Sequence, residues 1–368
     1  MKLRNKIAGT LALPLALAIA SSVNAATVFD DEKQTLKVGG FIAAQAVWEM
    51  PDAGDANYVM DLGTSRLNIA HTTKTSAGDI TVLYENDWSS GAAAHGDYRL
   101  RHAAVMYDGW VAGKTWSFFA NLNGLSETFD ANGVAITSSW ANRNAVLGKN
   151  FSLGEDMSVG IAIEDRSINS GNTPTEPTYK VDPSTGLMVV DKPAAGDRNT
   201  SAVPDITANF KAKVGGVGLF AAIQYYQVND ASDAKDSKGK VRFTASAAMP
   251  VADALTFKVA FTSDQDNYKA VSASGQYRIT DKVRTNLVIE QYIDERTGND
   301  SKTGIANNKD RDYTQAWLNA IYRMDSGLEW GAELHMLTGD DRAKAAAAYG
   351  AAKEDKDVTL RLQAKYAF

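Results

Sequence analysis

The chain has 368 residues, 44% of them hydrophobic and 22% charged, with 29 Gly, 8 Pro, no Cys and a formal net charge of −6. Without cysteine there is no disulfide framework, thiolate metal site, iron–sulfur cluster or Cys nucleophile. After the N-terminal segment no apolar run reaches the roughly 18 residues that a membrane-spanning helix requires.

Met1–Ala25 carries Lys2, Arg4 and Lys6, then the apolar stretch Ile7–Ala20, then Val23-Asn24-Ala25 ahead of Ala26. A basic head, a short apolar stretch and a small-residue end are the plan of a secretory signal peptide, and Pro14 argues against a retained anchor helix. Cleavage after Ala25 makes residues 26–368 a single domain of 343 residues with a net charge of −9. An exported, acidic chain gives no reason to expect a nucleic-acid partner.

From this point the hydrophobicity runs with a period of two. Leu36, Val38, Ile42, Ala44, Ala46 and Trp48 share one parity, against Lys37, Gln45 and Glu49. Ile80, Val82 and Tyr84 alternate with Thr81 and Glu85, and Leu100, Ala104 and Met106 alternate with Arg99 and Arg101. Met157, Val159, Ile161 and Ile163 oppose Ser158, Glu164 and Arg166. The same alternation returns near 217–223, 241–247, 255–261, 287–289 and 328–336, and weaker segments fit at 62–73, 110–117, 139–149, 203–213, 268–279 and 312–324. The last segment is the clearest: Val358, Leu360, Leu362, Ala364, Tyr366 and Phe368 face away from Thr359, Arg361, Gln363 and Lys365. Strict alternation is a strand signal. The count is sixteen strands, one per about 21 residues, joined by alternately long and very short connections. A helical turn is conceivable only near Arg342–Ala348.

Many alternating strands build either a soluble sandwich or barrel, with the apolar parity inside, or a transmembrane barrel, with the apolar parity toward lipid. The polar parity here bears full charges on nearly every strand, and Trp48, Tyr84, Trp88, Tyr107, Trp110, Tyr322, Trp330, Tyr366 and Phe368 lie near strand ends. Both features select the transmembrane antiparallel β-barrel with interfacial aromatic girdles.

The signal peptide, the entry strand Leu36-Lys37-Val38-Gly39-Gly40-Phe41-Ile42 and the end Lys365-Tyr366-Ala367-Phe368 resemble those of Gram-negative trimeric porins. A local likeness lies in Gly113–Gly133 with Arg143 following. It is similar to the strand and third loop of the dicarboxylate-type (DcaP-like) porins, where Gly-Gln-Trp/Tyr-Ser-x-Phe leads into Pro-Glu/Asp-Thr-x-Asp-Phe-x-Gly and then an inward Arg. Lys114 replaces Gln, Ser126 replaces Pro and Ala131 replaces Phe. The resemblance implies a homotrimer in the outer membrane, beside lipopolysaccharide, with no cofactor. It also implies a terminal strand, marked by Tyr366 and Phe368, that the barrel-assembly machinery reads. The expected function is passive diffusion of small hydrophilic solutes.

The residues of the third connection carry an argument of their own. Asn121–Val134 is too long for a hairpin turn and mixes Leu122, Leu125 and Phe129 with Glu127 and Asp130. A loop folded into the lumen needs such apolar anchors, whereas an ordinary outer loop does not; either remains open from sequence. The polar parity of the sixteen segments collects 16 bases against 8 acids. Excess fixed positive charge in a lumen favours anions such as dicarboxylates, unless the arginines merely pair with Glu85, Asp87 or Glu164. The expected constriction comprises Arg66, Arg99, Arg101, Lys114 and Arg143, with Glu127 and Asp130 opposite them. A rival is a sugar channel with an aromatic track of Trp116, Phe118, Phe119 and Trp140. An outer-membrane hydrolase is remote. The four histidines, His71, His95, His102 and His335, lack any nucleophile or metal-binding context, and His71 and His102 fall on or near the outward parity. Gly298–Ser301 and Asp264–Asn267 complete no calcium loop, so no metal is expected.

Overall fold

The computed structural model describes residues 25–51, 56–90, 97–130, 143–165, 178–181, 188–192, 203–230, 233–264, 268–294, 298–299, 306–307, 311–339 and 356–368. Among these, sixteen strands form one closed antiparallel barrel. They are β1 (Gln34–Pro51), β2 (Arg66–Thr75), β3 (Gly78–Ser90), β4 (Asp97–Tyr107), β5 (Trp110–Trp116), β6 (Arg143–Ser152), β7 (Met157–Asp165) and β8 (Asp205–Val214). Then follow β9 (Val217–Asp230), β10 (Asp233–Ala252), β11 (Leu255–Asp264), β12 (Tyr268–Arg278), β13 (Val283–Asp294), β14 (Arg311–Arg323), β15 (Glu329–Gly339) and β16 (Lys356–Ala367). The six weaker sequence segments all mature into barrel strands. The expected signal peptide and the possible turn near Arg342–Ala348 lie outside the described residues.

Each strand pairs with its sequence neighbour, and the sheet closes through the long first strand. Phe41–Pro51 lies against Asp357–Ala367 of β16, while Gln34–Phe41 lies against Arg66–Thr73 of β2. Gly40 and Phe368 complete this seam by exchanging two backbone hydrogen bonds, both 3.0 Å. Above it, the short strand Asn57–Asp61 continues the line of β2 along β1. Ser65 spans the break by accepting from the Ala43 amide and donating to its carbonyl.

The barrel is inside-out relative to a soluble one. Ile161, Ile223, Leu318 and Trp330 are 50–52% exposed on the outer wall, whereas Gln224, Glu290 and Glu333 on the inner wall are at most 1% exposed. An apolar outer belt around a polar interior is what a lipid solvent requires of strands. At one end the connections are tight. Asp108-Gly109 (φ 47° and 78°) and Gly215-Gly216 (φ 56° and 85°) supply consecutive left-handed residues, as two-residue hairpins that follow the strand twist demand. The other end carries the long connections, among them residues 117–142 between β5 and β6.

A parity expectation fails on β4. A β-bulge interrupts its pairing with β3, so that Glu85 faces His102 while Asn86 faces Leu100, leaving Arg101 as the extra residue. Arg101 and His102 therefore both point inward, at 6% and 1% exposure, and every residue after them changes side. Ala104, read as outward, is buried inside; Val105 takes the outer face. His102, placed near the outward parity from sequence, is a lumen residue.

Candidate functional site

The third long connection leaves the end of β5 and turns into the lumen. Its described part, residues 117–130, runs along the inner wall as a series of short turns: Ala120 donates to the Ser117 carbonyl, Leu125 to the Leu122 carbonyl, and Gly124 to Asn121 Oδ1. Gly124 is required by contact, because a Cβ there would lie 2.6 Å from the Ala260 methyl.

The loop is tied to one strand after another. Phe118 donates its amide to Glu164 of β7 (2.9 Å), and its carbonyl accepts from Asn209 of β8 (2.7 Å). Asn123 donates to the Gly218 carbonyl of β9, Asn121 donates to Thr244 of β10, and Lys258 of β11 donates to the Leu125 carbonyl. Ser126 reaches Ser274 of β12 at 2.7 Å. Arg284 of β13 grips the Glu127 carboxylate through Nη2 and Nε (2.6 and 2.9 Å), and Asn319 of β14 donates to the Glu127 carbonyl. The successive amides of Phe129 and Asp130 both donate to Glu333 of β15 (2.7 and 3.1 Å). Arg361 of β16 meets the Asp130 carboxylate, and Gln45 of β1 donates to the Phe129 carbonyl. The loop thus lines eleven consecutive strands, β7 to β16 and then β1.

Its aromatic rings sit over glycines of the wall. A Cβ at Gly148 or Gly160 would strike the Phe118 ring, and one at Gly331 would strike the Phe129 ring. Leu122 and Phe129 are buried, as anchors should be; Leu125, expected to anchor as well, is 37% exposed.

The arc β2–β6 receives none of these hydrogen bonds, and it carries a different set of charges. Asp87 binds Arg99 bidentately (2.8 and 2.7 Å) and also meets Arg101, whose Nε donates to Glu85 at 2.7 Å. Arg66 approaches Glu85 at 3.6 Å. Arg143 donates Nε–H to His102 Nε2 (3.1 Å) and lays its guanidinium 3.5 Å from the centre of the Trp116 ring. In this cluster three guanidiniums, Arg66, Arg99 and Arg101, share two carboxylates, Glu85 and Asp87, and Arg143 stands beside them. Its division of labour is read from exposure: the Arg99 side chain is 41% exposed to the lumen, while Arg101 is only 6% exposed beneath it. On the loop side the loop's own carboxylates are paired to the wall: Glu127 meets Arg284, which also holds Glu329, and Asp130 meets Arg361, which also approaches Glu333.

A lumen narrowed by its third loop, inside a sixteen-strand barrel with an apolar belt, is the build of a diffusion channel. A sequence profile of the Porin subfamily matches residues 34–362. The chain belongs to the porin family. No curated protein matches the sequence. Among solved structures, this porin is similar to the outer membrane channel DcaP of Acinetobacter baumannii (18% identity, 93% of this chain and 100% of that one, TM-score 0.69). It is also similar to the trimer form of OmpT of Vibrio cholerae (14% identity, 92% and 100%, TM-score 0.56). A third likeness is to the anion-selective porin from Comamonas acidovorans (11% identity, 91% and 100%, TM-score 0.57). The porin is an outer-membrane channel of the Gram-negative envelope.

The porin's structure gathers some of the residues expected at the constriction and separates others. Arg66, Arg99 and Arg101 share one ion-pair cluster with Glu85 and Asp87, and His102 links Arg143 to its flank. Lys114 lies across from Ala103 and Ala145 and makes no ion pair among the described residues. Glu127 and Asp130 do not reach toward the arginine arc; they turn to Arg284 and Arg361 on the wall beneath the loop. The aromatic track does not form as expected. Phe119 is fully buried beneath the Arg242 guanidinium, Phe118 is packed among Val111, Val146 and Ala162, and Trp116 is covered by Arg143. Trp140 lies outside the described residues. Sequence reasoning missed the linking role of His102, which a bulge hides, and the two-amide clamp made by Glu333. His335, left unassigned, stacks on Trp317 at 4.6 Å.

Proposed function

We propose that this porin passes small hydrophilic anions, dicarboxylates among them, between its inserted loop and the β2–β6 arc. The observation that carries the reading is the ion-pair cluster of that arc, where Arg66, Arg99 and Arg101 share Glu85 and Asp87 with Arg143 beside them, while the loop's own carboxylates are paired to Arg284 and Arg361. Fixed positive charge in a narrow lumen concentrates anions and lowers their entry barrier. We read the protein as a passive channel and not an enzyme. We further read it as a homotrimer, as one solved relative in fold is described in trimer form. Its leader is removed after Ala25, and its Tyr366 and Phe368 strand end addresses the assembly machinery beside lipopolysaccharide.

The test is the reversal potential of the purified protein in planar bilayers across a KCl gradient. Anion preference is expected, moving toward cations in Arg99→Ser, whose guanidinium is the one most exposed to the lumen. A strongly cation-selective wild type overturns the assignment.

A further inference from the structure

The bulge on β4 brings inward a side chain that an unbroken strand would have pointed at lipid. His102 stands directly opposite Glu85 in the register and is surrounded by charge from each neighbouring strand: Arg66 on β2, Glu85 on β3, Arg101 on its own strand, Lys114 on β5 and Arg143 on β6. Its contacts define its chemical state. A guanidinium can only donate, so the Arg143 Nε–H bond requires an unprotonated Nε2 on the imidazole. The remaining ring proton then sits on Nδ1, where Thr115 Oγ1 accepts it at 3.0 Å. The ring also meets Trp116 edge-on at 5.8 Å, and Trp116 carries the Arg143 guanidinium on its face.

We propose that His102 is a positioning residue of the pore: a neutral imidazole, locked in one tautomer by Thr115, that holds the Arg143 guanidinium against Trp116 and so fixes one wall charge of the anion path. Protonating this ring would place two N–H donors nose to nose, with Arg143 expelled from its seat, among three further bases. The ring therefore stays neutral across the range in which an exposed imidazole titrates, and the positive arc keeps constant charge through changes of external pH. The idea rests on the channel reading for its consequence in selectivity, but the state of the ring is a separate observable.

Two measurements on the full-length refolded protein decide it. Histidine ¹⁵N NMR, with the His102 signals assigned by their loss in His102→Gln, should show an unprotonated Nε2 and a protonated Nδ1 from about pH 8 down to about 5, where ordinary histidines become cationic. A cationic ring at the lower pH overturns the proposal, whatever the pore selects. In bilayers, the anion-over-cation permeability ratio of the wild type should change by less than about twofold over that range, against a free imidazole's full unit of charge. His102→Gln, which can still accept from Arg143 and donate to Thr115, should keep the wild-type ratio. His102→Leu, which can do neither, should alter it by about twofold or more. A His102→Leu pore with wild-type selectivity, or a Gln variant that behaves like Leu, overturns the positioning role. If the Leu variant fails to fold, the NMR titration and the Gln comparison still decide.

Discussion

At the scale of single residues, the arginine arc separates support from function. Arg101 is the buried support: it holds both Glu85 and Asp87, each about 1% exposed. Arg101→Ser leaves two carboxylates short of their partner inside the wall, and breaking a buried pair from one side costs about 3–5 kcal/mol. A clear fall in the thermal midpoint in detergent is expected, along with reduced refolding yield. Arg99→Ser should cost no more than about 1 kcal/mol of stability and so shift that midpoint far less, since a partly exposed ion pair contributes little, and should change the reversal potential instead. Equal thermal effects from the two substitutions would contradict this division.

Glu127 adds a pH dependence. Burial raises its carboxyl pKa, but the hydrogen bonds and charge of Arg284 outweigh burial and leave it below the ordinary carboxylate value. A depressed folded value means that the tether is fully present above the unfolded pKa of about 4.3 and is lost as pH falls through the folded value. Channel noise from loop motion should therefore grow only below about pH 4, and Glu127→Gln should show that noise at neutral pH.

At the scale of elements, the strands were legible because lipid on one side and water on the other impose a strict period of two. Even the weak segments at 139–149 and 203–213 correspond to β6 and β8. The inward loop was half legible: Leu122 and Phe129 signalled anchors, but nothing in sequence paired Phe129 with Gly331 or aimed Glu127 at Arg284. Those choices depend on wall residues about 150–200 positions away. The bulge at Arg101–His102 was not legible at all, because parity arguments assume an unbroken ladder and one extra residue reverses everything after it. The Phe129–Gly331 seat yields a loop-level prediction. Phe129→Ala removes a buried ring, worth about 3–5 kcal/mol in a packed core, and should free the loop tip while leaving the barrel folded. Larger single-channel conductance with unchanged β circular dichroism is the expected result; unchanged conductance would mean that the tip is held without the ring.

At the scale of the whole molecule, the early strands have modest outer faces. Ala44 and Ala46 follow the outward Ile42 on β1, and Ala103 is outward on β4. Small side chains let another protein wall approach closely, which supports the trimer reading. A slow-migrating oligomer in mild detergent that dissociates on heating is expected, and a lone monomer band under all mild conditions would refute it.

The loop and the seam also form a single thermodynamic system. The loop tip is held by Gln45 on β1, Glu333 on β15 and Arg361 on β16, and β1 and β16 are the strands that meet to close the cylinder. Two events that share bonding partners are coupled, and the coupling is reciprocal. Loosening the cylinder where its two ends join should widen the bore, and filling the bore with a solute that presses the loop against the wall should tighten the join. Gly40 offers a handle, because it bonds Phe368 at the join and a Cβ there would collide with the Arg66 carbonyl on its other neighbour, β2. In Gly40→Val, resistance to unfolding and the narrowness of the passage should decline together, so that the lateral strength of this cylinder can be read from the current it carries.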